Sequence, residues 1–232
     1  MVTTGPQQST MLLGTLTVLT VVSGLVDAVS YLGLGHVFTA NMTGNVVLLG
    51  FAAAGAPGFS VPASLASLGS FLIGAACAGR ICLHIASRRR WLVVAMVTEG
   101  ILAGGAAAVA ATANGVIGSG WVRYTVIVFL AFAMGVRNST IRRLAVPDVT
   151  TTVLTMTLTG LAADSSLAGG DNPKVARRTS AVAAMLIGAV GGAAFFLHQR
   201  ATWPLALVAV LVLVTAVVFA RSSASRRLDL PG

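Results

Sequence analysis

The 232-residue chain is 56% hydrophobic and only 9% charged, with a mean hydropathy of +0.91. An ordinary soluble domain carries roughly a quarter charged residues, so this chain lacks the polar surface to coat itself in water. Its net charge of +9 comes from arginines clustered at the ends of apolar runs. No aromatic platform or basic stripe accompanies them, which excludes nucleic acid as a partner and marks them as membrane-flanking loops.

Residues 1–10 are polar but uncharged and lack the basic start of a secretory signal, so the first apolar run is expected to be retained as a helix. Eight apolar segments follow, at about 11–35, 39–56, 63–86, 91–112, 120–136, 149–163, 179–198 and 203–220. Roughly 20 apolar residues are needed for a helix to cross a hydrocarbon core of about 30 Å. The first segment meets that length and carries Asp27 near its end. The second opens with the polar run Thr39-Ala-Asn41-Met42-Thr43-Gly44-Asn45 and keeps only about a dozen strongly apolar residues, the length of a broken or re-entrant segment.

The third segment holds both cysteines, Cys77 and Cys82, which at that spacing form neither a disulfide framework nor a metal site. In the fourth, Glu99 lies eight residues past Trp91, about 12 Å into the bilayer at 1.5 Å per residue. The fifth ends at Arg137 and Asn138, where an arginine reads as an orientation anchor. The sixth is threonine-rich, with Thr150, Thr151, Thr152, Thr155, Thr157 and Thr159, and is the second odd segment. His36, His84 and His198 fall at segment ends with no ligand spacing between them.

The two halves of the chain repeat. Leu72-Ile-Gly-Ala75 recurs as Leu186-Ile-Gly-Ala189, and Leu83-His84 as Leu197-His198, at a spacing of 114. Gly24-Leu-Val-Asp27 stands against Gly135-Val-Arg-Asn138, and Thr39 against Thr150, at a spacing of 111. The halves run over residues 11–112 and 120–220 of a single membrane domain covering 1–232, and the two odd segments occupy corresponding positions. If all eight segments spanned, the clusters at Arg137–Arg143 and Lys174–Arg178 would fall on opposite sides, against the cytoplasmic excess of Lys and Arg. If the odd segments re-enter, six helices span and four basic clusters share the cytoplasmic side with both termini. Three spans per half then invert the second half relative to the first. The expected fold is an all-α integral membrane protein of about six spanning helices plus two broken or re-entrant segments, in two related, inverted halves.

Inverted repeats with broken segments near the midplane are a recurring build of secondary transporters. Asn41, Thr43 and Asn45 are therefore read as substrate-binding residues facing Asn138, Thr151, Thr152 and Thr155 of the second half. A half-helix starting near Asn45 or Val46 would aim free N–H groups at an anionic or carbonyl-bearing ligand. The bland role stays open beside it, in which these side chains cap helices and glue the halves together, and threonine hydroxyls bond back to their own helix. Asp27 and Glu99 are read as proton- or ion-coupling groups, since intramembrane carboxylates mark substrate paths, proton relays or ion pairs. For Glu99 the competing role is an ion pair with Arg123 or Arg137.

No Walker loop, Rossmann glycine signature, zinc-helix motif or Gly-x-Ser-x-Gly elbow occurs. Neither an enzyme nor a cofactor or metal is expected. The expected partners are the lipid bilayer, a small polar or anionic solute and, as an open option, a second copy of the chain. Fourteen arginines against one lysine, with abundant Ala, Gly and Val, point to a GC-rich bacterial genome and so to an inner membrane. The alternative function is an accessory or sensory membrane protein.

The run Gly24-Leu-Val-Asp27-Ala28-Val-Ser30-Tyr31-Leu, continuing to Phe38-Thr-Ala-Asn41-Met42-Thr43-Gly44-Asn45, resembles the signature of the YoaK-like family of bacterial membrane proteins. The Asp-Ala and Asn-Met-Thr-Gly-Asn elements stand intact, and Gly135–Asn138 followed by a threonine-rich stretch also resembles the family pattern. The likeness covers nearly the whole chain. It implies a polytopic inner-membrane protein and no particular activity.

Overall fold

The computed structural model describes residues 6–85, 87–144, 154–171, 174–198 and 200–222. Eight α-helices follow in order: α1 Pro6–Gly33, α2 Met42–Ala53, α3 Val61–Ile81, α4 Arg88–Thr112, α5 Gly120–Leu144, α6 Leu154–Ala163, α7 Val175–His198 and α8 Thr202–Arg221. Six are long and apolar enough to cross a membrane, namely all but α2 and α6. At 1.5 Å per residue those two measure about 18 and 15 Å, well short of a hydrocarbon core. The protein is an all-helical, multi-pass membrane protein.

Local chemistry sets several boundaries. Ser60 caps α3 by accepting from the Ala63 amide, with Pro62 in the first turn, where its missing N–H costs no bond. Ser87 caps α4 by accepting from the Arg90 amide at 3.0 Å. One boundary departs from the expected one: α5 does not stop near Val136 but continues two turns to Leu144. Arg137 is therefore not a helix-end anchor. It lies inside the bundle, 1% exposed.

Helix directions follow from the residues that meet. Gly24 of α1 lies on Met185 and Ala189 of α7, Gly192 lies on Leu25, and Gly33 reaches Phe196, so α1 and α7 run parallel. Gly74 of α3 lies on Phe132 of α5, Gly135 on Phe71 and Ala75, and Arg143 donates to the Gly79 carbonyl at 3.2 Å, so α3 and α5 also run parallel. The two pairs oppose each other. The α1 C-terminus meets Ile117 of the α4–α5 connection, which is where α5 begins. Between them α4 packs on α8 and α5, and α8 also touches α1.

Both crossings bring backbone onto backbone. A Cβ at Gly24 would fall on the Met185 carbonyl, and one at Gly188 on the Val21 carbonyl. In the other pair a Cβ at Gly135 would fall on the Phe71 carbonyl, and one at Gly74 on the Phe132 carbonyl. The two sets are related by the same offsets of 111 and 114 residues that align the halves in sequence. Small residues let helix backbones approach this closely, where van der Waals packing rather than hydrophobic burial holds helices together in lipid. The repeated Leu-Ile-Gly explains itself: Leu72, Ile73, Leu186 and Ile187 point outward, while Gly74 and Gly188 are buried.

The core is built from Leu16, Leu19, Val22, Val26 and Val29 of α1, Val126, Ile127 and Leu130 of α5, and Leu205, Val208 and Val212 of α8, against an alanine stripe on α4. The chain enters and leaves α2 at one end of the bundle, because His36 Nδ1 lies 3.0 Å from the Gly58 carbonyl oxygen and its ring sits against Phe59. Segment 37–57 thus turns back on itself. The basic cluster of Arg221, Arg226 and Arg227 extends past residue 222, beyond the described residues.

Candidate functional site

Asp27 organises the entry to α2. It is 4% exposed, and its Oδ1 accepts from three successive amides, Thr39 at 3.2 Å, Ala40 at 2.8 Å and Asn41 at 3.3 Å. Those amides are turned toward a carboxylate instead of toward a helix ladder, which is why residues 37–41 stay irregular. Irregular backbone at membrane depth is tolerated only where such partners exist. The helix then starts at Met42, three residues earlier than the sequence suggested. Asn41 is its N-cap and accepts from the Gly44 amide at 3.1 Å.

Asn45 is fully buried and fastens this entry to the bundle. Its Oδ1 accepts from the Phe38 amide at 2.8 Å, and its Nδ2 donates to the Phe38 carbonyl at 2.6 Å. Nδ2 also reaches Ser67 Oγ at 3.0 Å, and Ser67 donates to the same carbonyl at 2.6 Å. The side chain acts as a peptide group would in a two-stranded ladder. Phe38 stacks on Tyr31 with ring centroids 4.9 Å apart. Gly44 is required because a Cβ there would press on the Phe38 ring.

Beside this entry lies a cavity of about 460 Å³, within the range of small-molecule sites. Its polar wall is Asp27, Asn41, Thr43 and Thr155; its apolar wall includes Val47, Phe71, Leu154 and Met185. Helices α1, α2, α3, α6 and α7 all contribute. Of the residues singled out from sequence, Asn41, Thr43, Thr155 and Asp27 therefore meet at one cavity. Asn45 does not line it. Asn138 sits half-buried on α5 away from the lining, its Nδ2 buried with no hydrogen-bond partner. Thr151 and Thr152 lie outside the described residues.

Glu99 is also outside the lining. It is fully buried and pairs with Arg137, Oε1 to Nη1 at 2.9 Å. Arg137 further donates from Nη1 to the Leu19 carbonyl at 3.1 Å and from Nη2 to Ser23 Oγ. A single ion pair thus ties α4, α5 and α1 together. Sequence reasoning missed Phe71 and Met185 as cavity walls and Ser67 as the anchor of Asn45. The first two had a signal, since they stand 114 residues apart, one residue before the repeated Leu-Ile-Gly. Ser67 had none. Among the described residues no three His, Cys, Asp or Glu side chains come together in a metal-like group.

A family described as a protein of unknown function, DUF1275, matches residues 15–218. The UPF0700 transmembrane protein YoaK of Bacillus subtilis (strain 168) is 32% identical over 151 residues, which is 65% of this chain and 66% of that relative. The match thus spans just under two thirds of the relative's length. No solved structure matches.

Proposed function

We propose that this chain, which belongs to the DUF1275 family, is a secondary carrier or channel for a small polar solute in a bacterial inner membrane, built as an inverted repeat. The observation that carries the proposal is the cavity of about 460 Å³ where the two short helices approach each other, with the carboxylate of Asp27 in its wall. A carboxylate in the wall of an otherwise mostly apolar cavity is costly to keep there without a polar partner. Its walls are contributed in matched positions by both halves: Phe71 and Met185 at an offset of 114, Thr43 and Leu154, and Gly44 and Thr155, at 111. A site at the interface of two oppositely oriented repeats suits alternating access.

Three further features support the architecture. The helices paired by the repeat run in opposite directions, α1 against α5 and α3 against α7. The glycine crossings recur at the repeat offsets. The clusters at Arg88–Arg90, Arg142–Arg143 and Arg177–Arg178 lie at helix ends on one side of the bundle, together with the start of α1 and the end of α8, and by the positive-inside rule that side faces the cytoplasm.

The second reading, an accessory membrane protein without transport, is favoured by the closed bonding of Asn45, which serves the fold and not a ligand. Flux decides between the two. Labelled amines, amides, amino acids and carboxylates are offered to proteoliposomes holding the wild-type chain or Thr155→Trp, which fills the cavity. The carrier reading expects at least one solute to enter faster with the wild type than with the filled variant or with empty vesicles. Equal rates in all three would remove it.

A further inference from the structure

The chemistry of the cavity wall narrows the solute. Asp27 Oδ1 is satisfied by its three amides, but Oδ2 accepts no hydrogen bond. No described Arg, Lys or His forms an ion pair with Asp27; Arg137 acts on it only at a distance and makes its direct ion pair with Glu99. The hydroxyls of Thr43 and Thr155, in the same wall, are likewise unengaged. The amides of Thr39, Ala40 and Asn41, just ahead of α2, face a fixed carboxylate. An anionic solute would meet that charge in a medium of low dielectric, where like charges repel strongly.

A metal ion fits the wall poorly, because hard cations take six or more oxygen ligands. The side chains here offer one unused carboxylate oxygen and two hydroxyls, Asn41 Oδ1 being taken by the Gly44 amide, beside Phe71, Met185, Leu154 and Val47. An ammonium on a short apolar body matches both parts. The wall offers three unused acceptors for its N–H groups, and aromatic, thioether and aliphatic surface for its carbon chain. We propose that the cavity binds a small organic cation, a protonated primary alkylamine, seated on Asp27 Oδ2 with Thr43 and Thr155 as its other acceptors. This deepens the carrier reading above and rests on it for its physiological meaning.

The test is equilibrium binding of labelled n-butylammonium to the full chain in lipid nanodiscs. The expected result is saturable binding, displaced by other primary amines but not by butanol, butanoate, sodium or potassium. Asp27→Asn should weaken binding at least about tenfold, roughly the effect of one lost charge-assisted contact, and Thr155→Val several-fold. Absence of saturable binding, equal displacement by butanoate or by an alkali cation, or unchanged affinity in Asp27→Asn would each overturn the proposal. Should Asp27→Asn fail to fold, the competition series on wild-type protein decides alone. Amine binding with no flux in vesicles would leave this site standing and sink the carrier reading. Flux of neutral or acidic solutes with no amine binding would do the reverse.

Discussion

Arg137 carries a guanidinium into the middle of the bundle and leaves it with Glu99 as its counter-charge and with Leu19 and Ser23 as further acceptors. Removing one member of a buried pair strands the other charge, at a cost of roughly 3–5 kcal/mol. Arg137→Met is expected to lose that much stability in reversible unfolding from mixed micelles, and Glu99→Met with Arg137→Met together should recover more than half of it. Asn45→Ala removes the bonds to Phe38 and Ser67 and should cost about 3 kcal/mol, at about 1 kcal/mol per net hydrogen bond, in the same measurement. Asp27 separates its two oxygens by role. Asp27→Asn keeps an acceptor for the amides of Thr39, Ala40 and Asn41 and should cost about 1–2 kcal/mol, while Asp27→Ala, which orphans all three, should cost clearly more. Equal losses would mean that the carboxylate does not hold the entry to α2. The sequence displayed these residues as unusual because charge and amides are rare in apolar runs. It did not display their partners, since Glu99 and Arg137 are far apart in the chain, and no periodicity links positions on different helices.

At the scale of the element, the two short helices were legible from their length and polar content, and the recurring Leu-Ile-Gly marked the glycines at which α3 meets α5 and α7 meets α1. The end of α5 was not legible. Its apolar run stops at Val136, and an arginine there resembles an interface anchor. Only the acceptors waiting on α1 and α4 let the helix carry that charge onward to Leu144. The start of α2 at Met42 was not legible either, because the polar run gives no apolar periodicity, although Asn41 is a residue type that favours the N-cap position it takes. The glycine crossings give the sharpest test of packing. Gly74→Ala and Gly188→Ala each place a methyl on a carbonyl of the crossing helix and should each cost about 1–3 kcal/mol by overpacking. Gly191→Ala, whose Cβ would meet nothing within 4 Å, should leave the unfolding midpoint within experimental scatter.

At the scale of the molecule, the arrangement predicts which positions share a face of the membrane. Single cysteines replacing His36, Gly58, Gly115 and Arg200 in a Cys77→Ser, Cys82→Ser background should label together from one side. Those replacing Ser87, Ser165 and Ser222 should label from the other. Separation of positions 36 and 58 onto opposite faces would make α2 a spanning segment and undo the inverted design.

The glycine crossings also constrain how the protein can move. Each joins a helix from one half to a helix from the other, backbone against backbone, with no side chain between them to slide or rotate. Two such halves cannot rock apart like jaws, since opening them would tear both contacts at once. What can shift is one crossed pair past the other, α1 with α7 against α3 with α5. The plane of that shear runs past Asp27 and Met185 on one side and Phe71 on the other, so a modest slip would reshape the cavity wall with both glycine crossings closed. Such a slip requires Arg137, which bonds Leu19 and Ser23 across the plane, to exchange those partners.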